Sequence, residues 1–316
     1  MNEPRAEYVA RDAASLRVAE LARKVAASPA TVLITGESGC GKDQLARLIH
    51  SLSDRRHAPC LKIDCASLPP GLVESELFGH EKGAFTGAVE RRRGRFELAG
   101  DGTLVLDEVA ALAPAAQAKL LRVLEERTFE RLGGNQAVRI EARLMALTNA
   151  DLERAVAAGQ FREDLFFRLN VLTIAVPPLR ERRGDILPLA EYLLSRLAAV
   201  HGKPDAALDA GARAALAEYA WPGNVRELKN AIERALVFSR GPILGAGDLP
   251  VSVGSATARR RGSADGSAAL RSLEEIEKDA IAATLEATHY QISKTAEILG
   301  ISRKTLFDKR KKYGLG

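Results

Sequence analysis

The stretch ATVLITGESGCGKD, residues 30–43, constrains this chain more than any other. A short apolar, β-branched run ends in glycines and a lysine, and residues 44–51 continue as a helix. That pattern is a buried strand feeding a loop that opens a helix. Gly36, Gly39 and Gly41 let backbone N–H groups turn inward to cradle phosphates, and Lys42 adds a point charge. The helix that follows aims its positive end at the same place. The strand-then-helix alternation recurs at residues 61–63, 103–106 and 143–147. Such alternation implies an α/β fold, a parallel sheet sandwiched by helices.

The loop has a second half. Asp107 and Glu108 project from the C-terminal end of the 103–106 run. An acid at that place orients Mg²⁺, and the next one polarises an attacking water. A plain surface pair ending a strand is the alternative reading, and the upstream loop outweighs it. ATP and Mg²⁺ are therefore the expected cofactors. The loop residues expected on the nucleotide are Gly36, Glu37, Ser38, Gly39, Cys40, Gly41, Lys42 and Asp43, with Asp107 on the metal. Asp43 stands where Ser or Thr normally contacts magnesium, and a carboxylate can hold the ion through water.

Composition narrows the setting. No apolar run approaches the roughly 20 residues that cross a bilayer. The charged start lacks an export signal, and three cysteines (Cys40, Cys60, Cys65) form neither a disulfide framework nor a zinc pattern. Cytoplasm is the expected location, with no membrane partner. The balance of 46 basic against 41 acidic residues is nearly even, so it argues little about nucleic acid. The distribution argues more, because Arg303, Lys304, Lys309, Arg310, Lys311 and Lys312 crowd the C-terminus against the single acid Asp308.

The expected organisation has four parts: an α/β unit over 1–180, a helical lid over 181–250, a flexible Ser/Gly/Ala-rich linker over 251–269, and a three-helix DNA reader over 270–316. An amphipathic helix is expected over 15–28. The lid pattern is helical throughout from 185 to about 239, broken at Pro204 and at Trp221-Pro222-Gly223.

Between the two halves of the nucleotide site lies FGHEKGAFTGA, residues 78–88, which belongs to neither. A glycine-framed loop carrying Phe85 and Thr86 does not hold a nucleotide; it has the form of a tool moved against a partner. An exposed hairpin with no partner is the bland alternative. Gly83, Ala84, Phe85, Thr86, Gly87 and Ala88 spell GAFTGA. Through this hexapeptide and the nucleotide motifs the chain resembles the AAA+ activators of sigma-54 RNA polymerase, the bacterial enhancer-binding proteins. The resemblance covers roughly residues 8–250 and then the C-terminal helices.

The resemblance implies a surface loop that contacts sigma-54 through Phe85 and Thr86 and moves with the nucleotide state. Asn149, ending the 143–147 strand, would sense the γ-phosphate. In FREDLFFRLN, Arg162 and Arg168 would reach a nucleotide on the neighbouring subunit. In WPGNVREL, Arg226 would read the nucleotide bound to its own subunit. Arginines acting across subunits require a ring, and the family's rings are hexamers. The family usually carries Asn where this chain has Asp64, an Asn thought to hold the catalytic glutamate away from water. Asp64 and Glu108 would repel instead.

SKTAEILGISRKTLFDKRKKYGL, residues 293–315, fits a helix-turn-helix. Ala296, Ile298 and Leu299 form the expected inward face, Gly300 permits the turn, and Ser302 caps the second helix. Ser302, Arg303, Lys304 and Thr305 are placed to meet bases or phosphates, and Lys309, Lys311 and Lys312 to meet phosphate. This segment resembles the Fis-type domain, although Arg310 occupies a usually apolar place and Phe307 is expected to shift the packing stripe. A basic amphipathic helix packing on the ATPase is the alternative.

The implied partners are sigma-54 RNA polymerase holoenzyme, double-stranded enhancer DNA and copies of the same chain. Fewer than about thirty residues precede the first strand, too few for an independent domain, so control is expected from a regulatory protein acting in trans or from expression level. The alternatives are a generic AAA+ remodeller or DNA motor and a DNA-binding regulator uncoupled from sigma-54. An intact GAFTGA argues against both.

Overall fold

A computed structural model describes residues 8–239 and 241–250 and, nearer the C-terminus, 277–278, 281–282, 284–285, 288 and 290–314. The chain divides into two units, Met1–Val253 and Gly254–Gly316.

The first unit opens with helix α1 (Ala13–Ala26), capped by the Asp12 carboxylate accepting from Ala14 N. Strand β1 (Val32–Thr35), helix α2 (Lys42–Leu52) and strand β2 (Cys60–Asp64) follow. Helix α3 (Pro70–Phe78) leads to the short hairpin strands β3 (Gly79–His80) and β4 (Arg92–Arg93). Then come α4 (Arg95–Ala99), β5 (Thr103–Asp107) and α5 (Pro114–Glu126). A second hairpin, β6 (Thr128–Glu130) and β7 (Ala137–Arg139), precedes β8 (Arg143–Thr148). Helices α6 (Leu152–Ala157) and α7 (Glu163–Leu169) and strand β9 (Leu172–Ala175) complete the layer.

The central sheet is parallel throughout, in the order β2-β5-β8-β1-β9. All six residues of β8 are buried, as a middle strand covered on both faces requires. One face packs Val18, Ala22 and Ala26 of α1 and Leu45, Ala46 and Ile49 of α2. The opposite face packs Leu77 and Phe78 of α3, Leu120 of α5, and Leu165 and Leu169 of α7. Arg143 is buried at the start of β8 and donates to Val25 O (2.7 Å), Ala26 O (3.0 Å) and Ala30 O (3.3 Å). Two of these carbonyls belong to the last turn of α1, so the guanidinium ties that helix end to the sheet.

The lid contains α8 (Ile186–Val200), α9 (Ala210–Glu218) and α10 (Asn224–Phe238) around its own core. It is not helical throughout. After Pro204, strand β10 (Ala207–Leu208) pairs in parallel with β11 (Ile243–Leu244). The helix before it closes at Gly202 (φ +67°), with Lys203 N bonding back to Ala198 O, and the backbone groups beyond pair across the lid, Ala207 N to Pro242 O and Asp209 N to Leu244 O. The expected linker over 251–269 lies outside the described residues.

In the C-terminal unit, helices Ile292–Ile298 and Arg303–Tyr313 flank a turn at Gly300, whose φ is +66°. Two expectations are corrected. Ile298 is exposed, because about 100° per residue puts it roughly a third of a turn from the face of Ile292, Thr295, Ala296 and Leu299. The buried place falls to Thr295, whose hydroxyl meets Thr288 Oγ1 (2.6 Å) and Gln291 O (2.9 Å). Phe307 is also exposed, so the packing stripe stays on Leu306 and Tyr313.

Candidate functional site

The C-terminal ends of β1, β5 and β8 converge at the point where the sheet order reverses, the usual ligand crevice of an open parallel sheet. The loop after β1 turns through Gly36 (φ +148°), Gly39 (φ +76°) and Gly41 (φ +103°). A Cβ on Gly39 would lie 2.6 Å from Gly223 O, so the loop and the lid turn approach closer than any other residue allows. A Cβ on Gly41 would meet nothing within 4 Å, which leaves its backbone open on the cradle side.

Lys42 is buried at the start of α2 and donates to Gly36 O (2.8 Å) and Glu37 O (3.3 Å). Its ammonium also lies 3.8 Å from Glu108 Oε1. Glu108 sits at φ +52°, a left-handed backbone rare for a non-glycine residue and characteristic of strained functional positions. Its second oxygen accepts from Asn149 N (3.1 Å) at the end of β8. The Glu108 carboxylate is thus held between the Lys42 ammonium and the end of the adjacent strand.

Asp64 and Glu108 take separate hydrogen-bond partners. Asp64 Oδ1 accepts from Ala66 N (2.9 Å) and Ser67 N (3.2 Å), a local turn in which a short acid caps its own chain.

Asp43 and Asp107 come together, and they do so through a residue that the motifs do not announce. Lys62, on β2, donates to Asp43 Oδ2 (2.5 Å) and lies 2.6 Å from Asp107 Oδ2. Burial pulls the Lys62 pKa down, the two carboxylates push it up, and the outcome is upward. Cys65, next along, has its thiol pushed up to about 12, first by burial and then by the surrounding acids. It is an inert packing residue.

Three side chains grip the loop from the lid side: Arg180 and Asn224, which the motifs did not announce, and Arg226, which they did. Arg180 forms a two-pronged pair with Glu37 (2.8 and 2.5 Å). Asn224, fully buried, donates to Glu37 Oε2 (3.0 Å) and Ser38 O (3.2 Å) and accepts from Leu179 N (2.7 Å). Arg226 donates to Ser38 Oγ (2.7 Å). Hydrogen bonds from Arg180 and then Asn224 hold the Glu37 carboxyl down from 4.5 to about 2. A depressed folded pKa contributes stability above the ordinary value and loses it as pH falls through the folded one. Glu37→Gln is therefore expected to lower stability at neutral pH, with the difference shrinking below about pH 4.5 and vanishing near 2. Urea midpoints of both proteins across that range check it; a difference that persists at pH 2 would refute the assignment.

Beside the loop opens a cavity of 640 Å³ lined by Tyr8, Val9, Cys40, Leu189, Leu193 and Leu197, among others. Apolar walls next to a phosphate cradle suit a flat nucleobase.

Arg162 stands just before the first turn of α7 and pairs with Asp164 (3.0 and 2.7 Å) at the surface. Arg168 is exposed on the same helix, beside exposed Phe167. Neither arginine is drawn into the crevice of its own chain in these contacts.

The residue 83–88 loop stands on a clamped base. Gly83 (φ +82°) and Gly87 (φ +104°) take left-handed turns at its ends, and Phe85 is 41% exposed with its ring edge-on to His80 at 4.9 Å. Ala88 is buried, the anchoring end of the loop. Buried Arg131, between β6 and β7, donates twice to Glu97 (2.8 and 2.8 Å) and once to Glu81 (3.0 Å). A Cβ on Gly133 would lie 2.7 Å from Ala84 Cβ, so the two hairpins touch.

In the C-terminal unit Ser302 Oγ accepts from Thr305 N (3.0 Å) and meets its hydroxyl at 2.7 Å. Arg303, Lys304 and Lys311 are exposed, Lys312 lies 5.4 Å over the Tyr313 ring, and Lys309 is engaged with Glu277. No described helix is long and apolar enough to cross a membrane.

Comparison with known proteins agrees with this architecture. The Sigma-54 interaction domain matches residues 8–175, the AAA+ ATPase lid domain 180–265, and the bacterial regulatory protein, Fis family, 272–313. The chain is 46% identical over 296 residues to the regulatory protein AtoC of Escherichia coli, covering 92% of this chain and 64% of that one. It is 44% identical to the transcriptional regulatory protein FlbD of Caulobacter vibrioides, covering 96% and 70%. Among solved structures, NtrX from Brucella abortus in complex with ATP has a TM-score of 0.77 at 35% identity, covering 98% of this chain and 69% of that one. The chain thus spans 64% of the length of relatives such as AtoC. With its AAA+ sheet, lid and Fis-type helices, the chain belongs to the Sigma-54 interaction domain family.

Proposed function

We propose that this chain is an ATP-hydrolysing activator of sigma-54 RNA polymerase that presses the Phe85–Thr86 tip on sigma-54 to convert closed promoter complexes to open ones. The observation that carries the reading is an exposed, glycine-hinged tip on a clamped base in the same domain as the phosphate cradle. A nucleotide site alone fits any motor; the tip has no role in such machines.

The residues present fit ATP and Mg²⁺. Backbone donors of the 36–41 loop and Lys42 suit a triphosphate, and two hard carboxylates, Asp43 and Asp107, reach one common point, the Lys62 nitrogen. Bound Mg²⁺ would neutralise charge on the phosphate oxygens. Lys42 exchanges its loop carbonyls for phosphate oxygens. Glu108 takes a proton from the attacking water, and its bond to Asn149 N ties that act to the end of β8. Arg162 and Arg168, at the surface, serve the nucleotide of the next subunit in a ring of six, where a guanidinium stabilises the transferring phosphoryl group. Arg226 and Asn224 couple the lid to the loop.

Residues 1–180 would form the ATPase, 181–250 the lid, 251–269 the linker and 270–316 the reader of enhancer DNA. Ser302, Arg303, Lys304 and Thr305 meet the DNA first, with Lys309, Lys311 and Lys312 on phosphates. The site of action is the cytoplasm.

The test is capture of sigma-54 in the presence of a transition-state ATP analogue, beside Thr86→Ala. Binding by the unchanged chain and loss of at least about tenfold in the variant is the expected result. Equal binding by both, or none by either with hydrolysis intact, would reopen the generic-motor reading.

A further inference from the structure

The ion pair at the head of the cradle has an unusual composition. Asp43 lies in the first turn of α2, Asp107 ends β5, and Lys62 rises from β2 in register with Val105. One ammonium nitrogen sits 2.5 Å from Asp43 Oδ2 and 2.6 Å from Asp107 Oδ2. Those two oxygens face a single point, and the group at that point is already a cation.

We propose that Lys62 is the resident counter-cation of the metal-binding carboxylates, so that its ammonium and a divalent ion are alternative occupants of the Asp43–Asp107 pair. This inference rests on the reading of Asp107 as a metal residue and extends it to a lysine outside the motifs.

Two carboxylates converging on one point repel unless a positive group lies between them. An ammonium satisfies both with single hydrogen bonds, whereas Mg²⁺ demands a near-octahedral shell of oxygens at about 2.1 Å. A nitrogen within hydrogen-bonding distance of both acids occupies the space of that shell, so the two cations exclude each other. The Lys62 side chain is 34% exposed, which gives a long flexible stem room to swing into solvent. The exchange has a consequence for order of binding. The acids alone, already neutralised in part by Lys62, have little to offer a free ion. An ion that brings phosphate oxygens with it gains enough further ligands to displace the lysine. Among the described residues no group of three or more His, Cys, Asp or Glu could hold a metal independently.

The same arrangement explains why an acid can replace the hydroxyl expected at position 43. A second carboxylate next to Asp107 would be destabilising by itself; with Lys62 between them the pair is held ready. Lys62 is thus a positioning residue, acting through the two acids.

The experiment uses the whole chain without nucleotide and Mn²⁺ as the probe, followed by calorimetry and by thermal melting. Lys62→Met removes the charge and keeps the stem; Lys62→Gln is the second variant. Both are expected to bind one Mn²⁺ at least roughly tenfold more tightly than the unchanged chain, since an uncompensated acid pair attracts a divalent ion. Adding Asp43→Asn to Lys62→Met should return affinity to the starting level. If either variant melts early, Mn²⁺ should restore its melting temperature more than it raises that of the unchanged chain.

Unaltered Mn²⁺ affinity, affinity indifferent to Asp43→Asn, or a loss of folding that Mn²⁺ does not rescue would each overturn the proposal and make Lys62 a structural lysine. Binding of a fluorescent ATP analogue to the same proteins keeps the two readings apart. No nucleotide binding in the unchanged chain removes the ATPase reading, whereas normal nucleotide binding with unaltered Mn²⁺ affinity removes only the role given to Lys62.

Discussion

Glu108→Gln should bind ATP as the unchanged chain does and hydrolyse it at least about a hundredfold more slowly. The substitution keeps length and shape and removes the ability to accept a proton. Binding is expected to survive because the cradle does not depend on this side chain. Lys42 has its own partners in Gly36 O and Glu37 O, and the three glycines set the loop. The Asn149 N–H that now meets Glu108 Oε2 at 3.1 Å can donate equally to an amide oxygen. Only the chemical step is touched. The strained backbone at residue 108, φ +52°, says the position is held for a purpose and not by local preference. Retention of a fluorescent ATP analogue beside phosphate release measures the two halves separately. Hydrolysis within a few-fold of the unchanged chain would remove Glu108 from the chemistry; lost binding would make it a structural support of the loop.

How much of this was legible beforehand follows from the range of each interaction. The 30–43 run announced itself because a strand, a glycine turn and a helix start are set by neighbours in sequence, and all three lie where expected. The exposed tip was equally plain, since Gly83 and Gly87 mark its turns locally. Lys62 was not. One lysine in a five-residue strand reads as a solvated charge, and nothing nearby in sequence shows that Asp43 and Asp107 arrive on either side of it. Asn224 was missed for a related reason. An asparagine at a helix start reads as a cap, yet its side chain reaches Glu37 and Ser38 across the fold. Only the neighbouring Trp-Pro-Gly turn hinted that the place mattered. The lid pair Ala207–Leu208 and Ile243–Leu244 is two residues long, too short for any periodicity to register. Ile298 and Phe307 misled in the opposite way, as exposed apolar residues each next in sequence to the one that packs, Leu299 and Leu306.

Trp221→Ala is the second large effect, expected to cost about 3–5 kcal/mol of stability in the first unit. The indole is fully buried in the lid core and packs edge-on against the Tyr219 ring at 5.0 Å. Its N–H donates to Leu216 O (2.9 Å), so the variant both hollows the core and strips a buried carbonyl of its partner. Trp221 also sits at φ +50° and its carbonyl accepts from Asn224 N (2.8 Å), so it shapes the turn from which Asn224 reaches the phosphate loop. Loss of the indole should therefore lower nucleotide affinity as well as the denaturation midpoint, although the ring touches no nucleotide. Trp221→Phe separates the contributions: most of the volume stays and the hydrogen bond goes, for an expected cost of about 1–3 kcal/mol. Since this is the chain's single tryptophan, unfolding of the variants is followed by circular dichroism in place of intrinsic fluorescence. A cost under about 1 kcal/mol for the alanine variant would mean the lid core closes over the gap. Unchanged nucleotide affinity at full destabilisation would mean Asn224 holds the loop without help from the turn beside it.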